Sequence, residues 1–332
     1  MRKTFLMVAA VAAMLATGFT ACKSNSSVPQ SKEVDIYVAG YENSGTKDAA
    51  KVWKNGKELY ELTDGSKDAG AYSVFVVGGD VYTSGYEGNG SNNVAKVWKN
   101  DKELYELSSN NADARSVFVA DDKVYTAGYE YNGSKDVAKL WKNKSATDLT
   151  DGSNNAIAYS VFVAGSNVYT AGYEYNGSKQ IAKVWKKGSE LFALTDGTKN
   201  AGVLSVFVVG EDVYTAGYDG KVAKVWKNKK EIFHTDGSKH ANAYSVYVVG
   251  DDVYVAGYED DAAKVWKNGE ELYELANNGE ACSIVVHNGD VYVAGFEREG
   301  TDDVAKVWKN GKELYELAGK GTATSIFIVE RK

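Results

Sequence analysis

Seven serines recur along the chain, and the residue before each of them changes from one repeat to the next. The seven variable residues are Tyr72, Arg115, Tyr159, Leu204, Tyr244, Cys282 and Thr324. Tyrosine and arginine side chains can stack on a sugar ring or a peptide and hydrogen-bond to it. The first five residues of this set are therefore candidate ligand-binding residues. The alternative is that they merely begin a strand and cover the core.

The other reactive side chains do not converge on a known kind of site. His234, His240 and His287 fall in different parts of their repeats, and no HExxH or CxxC spacing occurs. The Asp-Gly loops, as at Asp64, offer too few oxygens for an EF-hand. Cys282 is expected to be an inert thiol. We predict no catalytic residue, no metal and no cofactor, which favours a protein that is not an enzyme without deciding the question.

The charge of the chain argues against a nucleic-acid partner. The 332 residues include 38 Lys and Arg against 45 Asp and Glu, a formal net charge of −7. A nucleic-acid-binding domain needs a basic face. The 44% hydrophobic content is that of a globular protein.

A repeat of four short apolar segments must position these residues. Seven tryptophans mark its period, at positions 53, 98, 141, 185, 226, 266 and 308. The first segment resembles Ser73–Val77, the second Val81–Tyr86, the third ends at the Trp, and the fourth resembles Glu103–Leu107. All are rich in Val and aromatic residues and lack Pro, which predicts strands.

The links between the segments predict the architecture. Asn-Gly pairs such as Asn55-Gly56 suit a two-residue hairpin, and similar turns join segments one and two. The longer link from the fourth segment leads to the next repeat. A four-stranded antiparallel unit of 40–45 residues is typical of a β-propeller blade. We therefore predict an all-β, seven-bladed propeller, with an open β-solenoid as the alternative.

The phase of the chain ends favours a closed ring. The domain, predicted over 34–332, begins at a second segment and ends on a first segment, Ser325–Val329. The C-terminal strand would then be the inner strand of blade 1, made of residues 34–62 and 322–330. An open array has no reason to begin and end out of phase.

The second segment reads Tyr-Val-Ala-Gly-Tyr at Tyr37–Tyr41 and again at Tyr254–Tyr258. On these motifs the chain resembles bacterial seven-bladed β-propeller repeat proteins over residues 34–330. The resemblance implies the fold and leaves the activity open, because propellers have many unrelated functions.

The N-terminus resembles a bacterial lipoprotein signal. Arg2 and Lys3 precede an apolar stretch of signal-peptide length, and Phe19-Thr20-Ala21-Cys22 resembles a lipobox. Residues 1–21 would be removed, Cys22 would carry the lipid (palmitate), and residues 22–33 would form a flexible tether. An ordinary signal peptide is the alternative. We expect a lipid-anchored protein of the cell envelope, at the outer membrane, on a face that the sequence leaves undecided.

Loop lengths vary only in the links from segment two to three and from four to the next repeat. In an antiparallel meander both links open on the same face, and loops on a rigid scaffold often carry function; neutral drift is the alternative. The sequence favours a non-enzymatic binding propeller that recognises a glycan or a protein. A carbohydrate-active enzyme and a structural spacer are the alternatives.

Overall fold

The computed structural model describes residues 33–43 and 45–331. The predicted signal peptide 1–21, the lipid attachment residue Cys22 and all of the tether except Glu33 lie outside these residues. The described chain forms 28 strands in seven four-stranded antiparallel sheets, which confirms the predicted propeller. Among the described residues, no helix is long and apolar enough to cross a bilayer.

Each sheet is one blade, and the strands of blades 2 to 7 run in chain order from the inside outward. Blade 1 combines the C-terminal strand with the first three. Blades 1 to 3 consist of β28 (Gly321–Glu330), β1 (Val34–Asn43), β2 (Asp48–Lys54) and β3 (Lys57–Glu61); β4 (Ala69–Val77), β5 (Asp80–Gly88), β6 (Asn93–Lys99) and β7 (Lys102–Ser108); and β8 (Ala112–Ala120), β9 (Lys123–Tyr131), β10 (Asp136–Lys142) and β11 (Ser145–Asp148).

The remaining four blades repeat the same order. They consist of β12 (Ala156–Ala164), β13 (Asn167–Tyr175), β14 (Gln180–Lys186) and β15 (Ser189–Ala193); β16 (Ala201–Val209), β17 (Asp212–Asp219), β18 (Val222–Lys227) and β19 (Lys230–His234); β20 (Ala241–Val249), β21 (Asp252–Glu259), β22 (Ala262–Lys267) and β23 (Glu270–Ala276); and β24 (Gly279–His287), β25 (Asp290–Glu299), β26 (Asp302–Lys309) and β27 (Lys312–Ala318).

The ring closes as its phase predicts, because β28 pairs with β1 from Val34↔Glu330 to Glu42↔Gly321. The invariant serines continue this closure around the axis. Each Oγ accepts a hydrogen bond from a backbone N–H of the next blade, as from Val117 to Ser73. The seven bonds measure 3.1–3.3 Å, and the last runs from Val74 to Ser325. The serine is thus constant because it joins neighbouring blades.

The tryptophans fill the space between blades. Trp53 of blade 1 is 2% exposed and lies in one buried cluster with Tyr292 and Val307 of blade 7. Trp308 of blade 7 in turn packs among residues of blade 6. These contacts bury large apolar surfaces, which is the main favourable contribution to folding.

A lysine two residues before each tryptophan pairs with the carboxylate after the Gly-aromatic pair. In blade 7, Lys306 Nζ lies 2.8 Å from Glu297. It also contacts Glu313 of the outermost strand at 3.2 Å, a partner the sequence analysis did not anticipate. Burial opposes the charge of Lys306, but its hydrogen bonds to carboxylates outweigh burial and raise its pKa. The same lysine sits between two acids in every blade.

Glu33 and Arg331, the first and last described residues, meet at one face of the ring, which holds the tight turns between the first and second strands of each blade. We call it the turn face, and the opposite one the loop face. Arg331 Nε lies 2.7 Å from Asp35, and Lys54 Nζ lies 2.8 Å from the same carboxylate. Partial burial opposes the charge of Asp35, but hydrogen bonds from Lys54, Asn55 and Arg331 lower its pKa to about 2.

The acid stability of the ring should depend on Asp35. A lowered pKa in the folded state stabilises the protein above the ordinary value of 3.8, and this stabilisation is lost as the pH falls from about 4 to about 2. We expect Asp35→Asn to remove this component, measured as the free energy of unfolding at pH 5 and pH 2.5. Asp101→Asn, in an exposed turn, is the control. An unchanged pH dependence in Asp35→Asn would contradict the assignment.

Candidate functional site

The seven variable residues lie at the same structural feature in every blade. The inner strands begin earlier than the sequence predicts: β4 starts at Ala69, so Tyr72 is its fourth residue. The interpretation of these residues as the first of a strand is therefore wrong. At each of them the register with the second strand shifts, as between Ala71 and Ser73, which marks a β-bulge. We call the set the bulge ring: Tyr72, Arg115, Tyr159, Leu204, Tyr244, Cys282 and Thr324.

A glycine in the second strand allows each bulge to form. In blade 4, a Cβ on Gly172 would lie 1.9 Å from the carbonyl oxygen of Ile157, and corresponding glycines in the other blades meet a carbonyl just as closely. The Gly of the Tyr-Val-Ala-Gly-Tyr motif is thus required by the close approach of two backbones. A bulge leaves one residue outside the ladder and redirects its side chain. The sequence therefore presents one side chain per blade near the loop face.

The aromatic residue that follows this glycine packs beside the bulge residue, and we call it the floor aromatic. Tyr72 stacks on Tyr86 of its own blade with ring centroids 5.6 Å apart, and Tyr159 lies 6.0 Å from Tyr173. Tyr244 and Tyr258 repeat the pair in blade 6 at 5.8 Å. Burial raises the pKa of Tyr86 to about 12. These tyrosines are therefore neutral at physiological pH and offer rings and hydroxyl groups.

Tyr72, Arg115 and Tyr159 form one continuous cluster across blades 2 to 4. The guanidinium of Arg115 lies 4.3 Å from the centre of the Tyr72 ring and 5.9 Å from that of Tyr159. Its Nη2 is 2.6 Å from the buried carboxylate of Asp113. Its Nε is buried and has no hydrogen-bond partner among the described residues. The cluster combines a cation with tyrosine faces, a combination that can stack on planar ligand groups.

The other predicted site residues lie apart from this cluster. Leu204 is partly buried in blade 5, and Tyr244 belongs to a second group in blades 6 and 7. The hydroxyl of Thr324 donates to the carbonyls of Ala39 and Ala71, 3.0 and 2.7 Å away, and so joins blades 1 and 2. Burial raises the pKa of the Cys282 thiol, in keeping with an inert cysteine.

Sequence reasoning missed a second variable position, two residues before the bulge. It holds Gly70, Asp113, Ile157, Gly202, Asn242, Glu280 and Thr322, and each pairs with the floor aromatic of its blade. Its variation is visible in the sequence as soon as the inner strand is started at the right residue. The two carboxylates among them differ: Asp113 is paired with Arg115, whereas Glu280 has no ion-pair partner within the described part of the chain.

The described residues of this face do not form a metal site, and the two depressions of the surface lie elsewhere. No group of three or more His, Cys, Asp or Glu residues that could hold a metal is found among the described residues. The carboxylate of Asp64 accepts the backbone N–H of Ser66, so it stabilises its own turn. Two shallow depressions, of about 330 and 210 Å³, lie at the outer strands and not at the bulge ring.

Comparison with known proteins shows the fold alone. No family model and no curated protein matches the chain. The WD40 propeller domain of Doa1 is 18% identical with a TM-score of 0.52, covering 89% of this chain and 97% of the other. The designed Ika8 protein is 19% identical with a TM-score of 0.50, covering 86% of both chains. BamB from Moraxella catarrhalis is 11% identical with a TM-score of 0.40, covering 77% of this chain and 87% of the other.

Proposed function

We propose that the chain is a non-enzymatic binding propeller of the bacterial cell envelope, held by a lipid on Cys22, that recognises a protein or a glycan with its loop face. One observation carries this proposal. The positions that pack the blades are nearly constant, whereas the bulge ring, which lies near one face, holds Tyr, Arg, Leu, Cys and Thr. Diversity on a rigid, repeated scaffold is what a specific binding surface needs.

The position of the chain ends fits this orientation. β1 begins at the turn face, where Glu33 pairs with Arg331. A tether that precedes Glu33 therefore leaves from the turn face, and the bulge ring faces away from the anchor. Residues 23–33 would span at most about 40 Å when fully extended. The loop face would then be free to meet a partner in the envelope.

The binding surface can be tested with paired double variants. Tyr72→Ala/Tyr159→Ala should lower affinity for the envelope fraction of the source bacterium about tenfold or more, because aromatic anchors dominate interfaces. The matched control is Tyr82→Ala/Tyr125→Ala at the turn face, where each ring lies under a lysine. Co-sedimentation measures both. Equal binding by the two variants would contradict a role for the bulge ring.

The lipid anchor can be tested separately. Metabolic labelling with palmitate should mark the wild type and the Cys282→Ser control, and should not mark Cys22→Ser. The unlabelled variant should also move from the membrane to the soluble fraction, because the mature chain, without residues 1–21, would have lost its lipid anchor. Persistent labelling of Cys22→Ser would overturn the proposed attachment.

Carbohydrate hydrolysis is the second candidate, and one observation favours it. Burial and the charge of Asp113 raise the pKa of Asp136, which begins β10 beside the Arg115 cluster. A carboxyl group with a raised pKa next to an ionised one is the arrangement that glycosidases use. Hydrolysis of a glycan by the wild type that is lost in Asp136→Asn would replace the binding proposal.

A further inference from the structure

Blades 2–3 and blades 6–7 carry nearly the same constellation at the loop face. In the first, Tyr72 stacks on Tyr86, and the carboxylate of Asp113 lies in the next blade opposite Tyr129. In the second, the Tyr244 ring lies tilted against Tyr258 with centroids 5.8 Å apart, His240 stacks on Tyr258, and Glu280 lies in the next blade opposite Phe296. The position of Arg115 is taken by Cys282. The second constellation thus has the acid and the rings, and its bulge residue supplies no cation.

In blades 2–3 the cation comes from the chain itself. Arg115 places its guanidinium on the Tyr72 ring, 4.3 Å from the centre, and pairs with Asp113 at 2.6 Å. Asn93, at the end of the blade 2 loop-face hairpin, also donates to Asp113 at 3.1 Å. Arg115 and Asn93 therefore both hydrogen-bond to the Asp113 carboxylate and cover it.

In blades 6–7 the equivalent carboxylate keeps spare acceptor capacity. The Tyr244 hydroxyl hydrogen-bonds to Glu280, and burial raises the pKa of this carboxyl despite the nearby charge of Arg298. Arg298 itself pairs with Asp303 at 3.0 Å and lies over Phe296. Among the described residues, Glu280 forms no ion pair, whereas Asp113 pairs with Arg115.

A neighbouring amide adds a second acceptor. Asn242 stands where blade 2 has Gly70, and its Nδ2 lies 3.4 Å from the Tyr258 hydroxyl. Its Oδ1 is buried and receives no hydrogen bond from the described part of the protein. A buried acceptor without a donor is costly. Glu280 and Asn242 both neighbour Tyr244, so two acceptors lie at one place.

The rim of the loop face is lower beside Glu280 and Asn242, which gives access to these two side chains. The loop-face hairpins of blades 1 to 4 have four-residue loops, as at 89–92, whereas those of blades 5 and 6 turn at 220–221 and 260–261. Each of these two hairpins is four residues shorter, because its loop has two residues fewer and each of its two strands has one residue fewer, so the strands end roughly 3 Å lower. The residue at the position of Asn93 is Asp261, which adds negative charge beside Glu280 instead of an amide donor. Two adjacent low blades leave room for an extended chain to run from the axis to the rim.

The geometry points to a site for an organic cation: we propose that Glu280, Asn242, Tyr244 and Tyr258 bind the guanidinium of an arginine side chain in an extended polypeptide. The ligand would take the place that Arg115 occupies between Asp113 and Tyr72. A guanidinium has donors for both acceptors and stacks on tyrosine rings. This inference rests on the proposed binding function and assigns it a ligand chemistry.

The test uses N-acetyl-arginine amide as the probe in a ligand-observed NMR titration of the purified protein. Wild type should bind, and Glu280→Gln should bind about tenfold more weakly or worse, because the variant loses hydrogen bonds between two charged groups. Cys282→Arg should abolish binding while keeping the melting temperature, because the new side chain would fill the site from within. Glu316→Gln, exposed on the outer strand of the same blade, is the matched control.

Each other outcome decides against the inference. Equal binding by wild type and Glu280→Gln, or full binding by Cys282→Arg, would overturn the site. Glucosamine that binds in place of the arginine probe would assign the site to an amino sugar and overturn the polypeptide ligand. If the probe fails to bind wild type while the Tyr72/Tyr159 variant still loses envelope binding, this inference fails and the proposed function stands.

Discussion

A chain that ends at Lys320 is expected not to fold into a closed ring and to aggregate. It lacks β28, the inner strand of blade 1, and with it the buried side chains of Ala323 and Ile326. It also lacks the Ser325 hydroxyl that accepts the Val74 N–H of blade 2. The exposed edge of β1 would then present unpaired backbone groups, which favour pairing with other chains.

Size-exclusion chromatography and thermal unfolding measure this effect. The truncated chain should elute as aggregate and lose the cooperative transition of the full chain. The control ends at Glu330 and keeps all of β28. It should therefore elute at the volume of the full chain and unfold at the same temperature. A monomeric truncated chain with an unchanged melting temperature would contradict ring closure by β28.

Gly172→Ala is expected to have the largest effect of any single substitution discussed. The added Cβ would lie 1.9 Å from the carbonyl oxygen of Ile157 and 2.9 Å from the Cα of Ala158. Both contacts are with backbone atoms, so the bulge at Tyr159 would have to open. We expect the free energy of unfolding to fall by about 3 kcal/mol, near the upper end of the usual range for overpacking.

Denaturant unfolding checks this prediction, with Gly319→Ala as the matched control. Gly319 joins blade 7 to blade 1, and a Cβ there meets no atom within 4 Å. The control should unfold at the same denaturant concentration as wild type. A Gly172→Ala protein as stable as the control would mean that the bulge does not depend on a glycine.

The sequence predicts the ring because every repeat reports on the same structure. The alternation of segments, the Asn-Gly turns and the phase of the ends are local signals, and the pairing of β28 with β1 confirms them. The ion pairs between Lys306 and Glu297 and their equivalents were also predictable, since both residues flank one hairpin. Repetition thus turned weak single-strand signals into a strong one.

The bulge could not be predicted from strand periodicity. A bulge inserts one residue, so alternation breaks at Tyr72, and the polar or small residues before it resemble a loop. Because of this break, the sequence predicts that β4 starts too late in the chain. The position that holds Asp113 and Glu280 is then not recognised as part of the inner strand. The contact between Asp113 and Arg115, two residues apart on one strand, spans the same bulge.

The two faces of the ring also differ in a way that only the structure reveals. On the turn face, a lysine lies over a tyrosine in every blade, as Lys54 lies over Tyr37 with Nζ 5.0 Å from the ring centre. On the loop face, the corresponding ring of residues differs from blade to blade. Uniform contacts indicate a structural role, so we expect specific recognition at the loop face.

Site-specific photo-crosslinking in living cells that express the protein tests specific recognition by the loop face most directly. A photoreactive phenylalanine derivative would replace Tyr159 in the bulge ring or, in a matched variant, Tyr125 at the turn face. We expect a discrete crosslinked product from position 159 and none from position 125. A product from position 125 alone would contradict the assignment of the loop face as the binding surface.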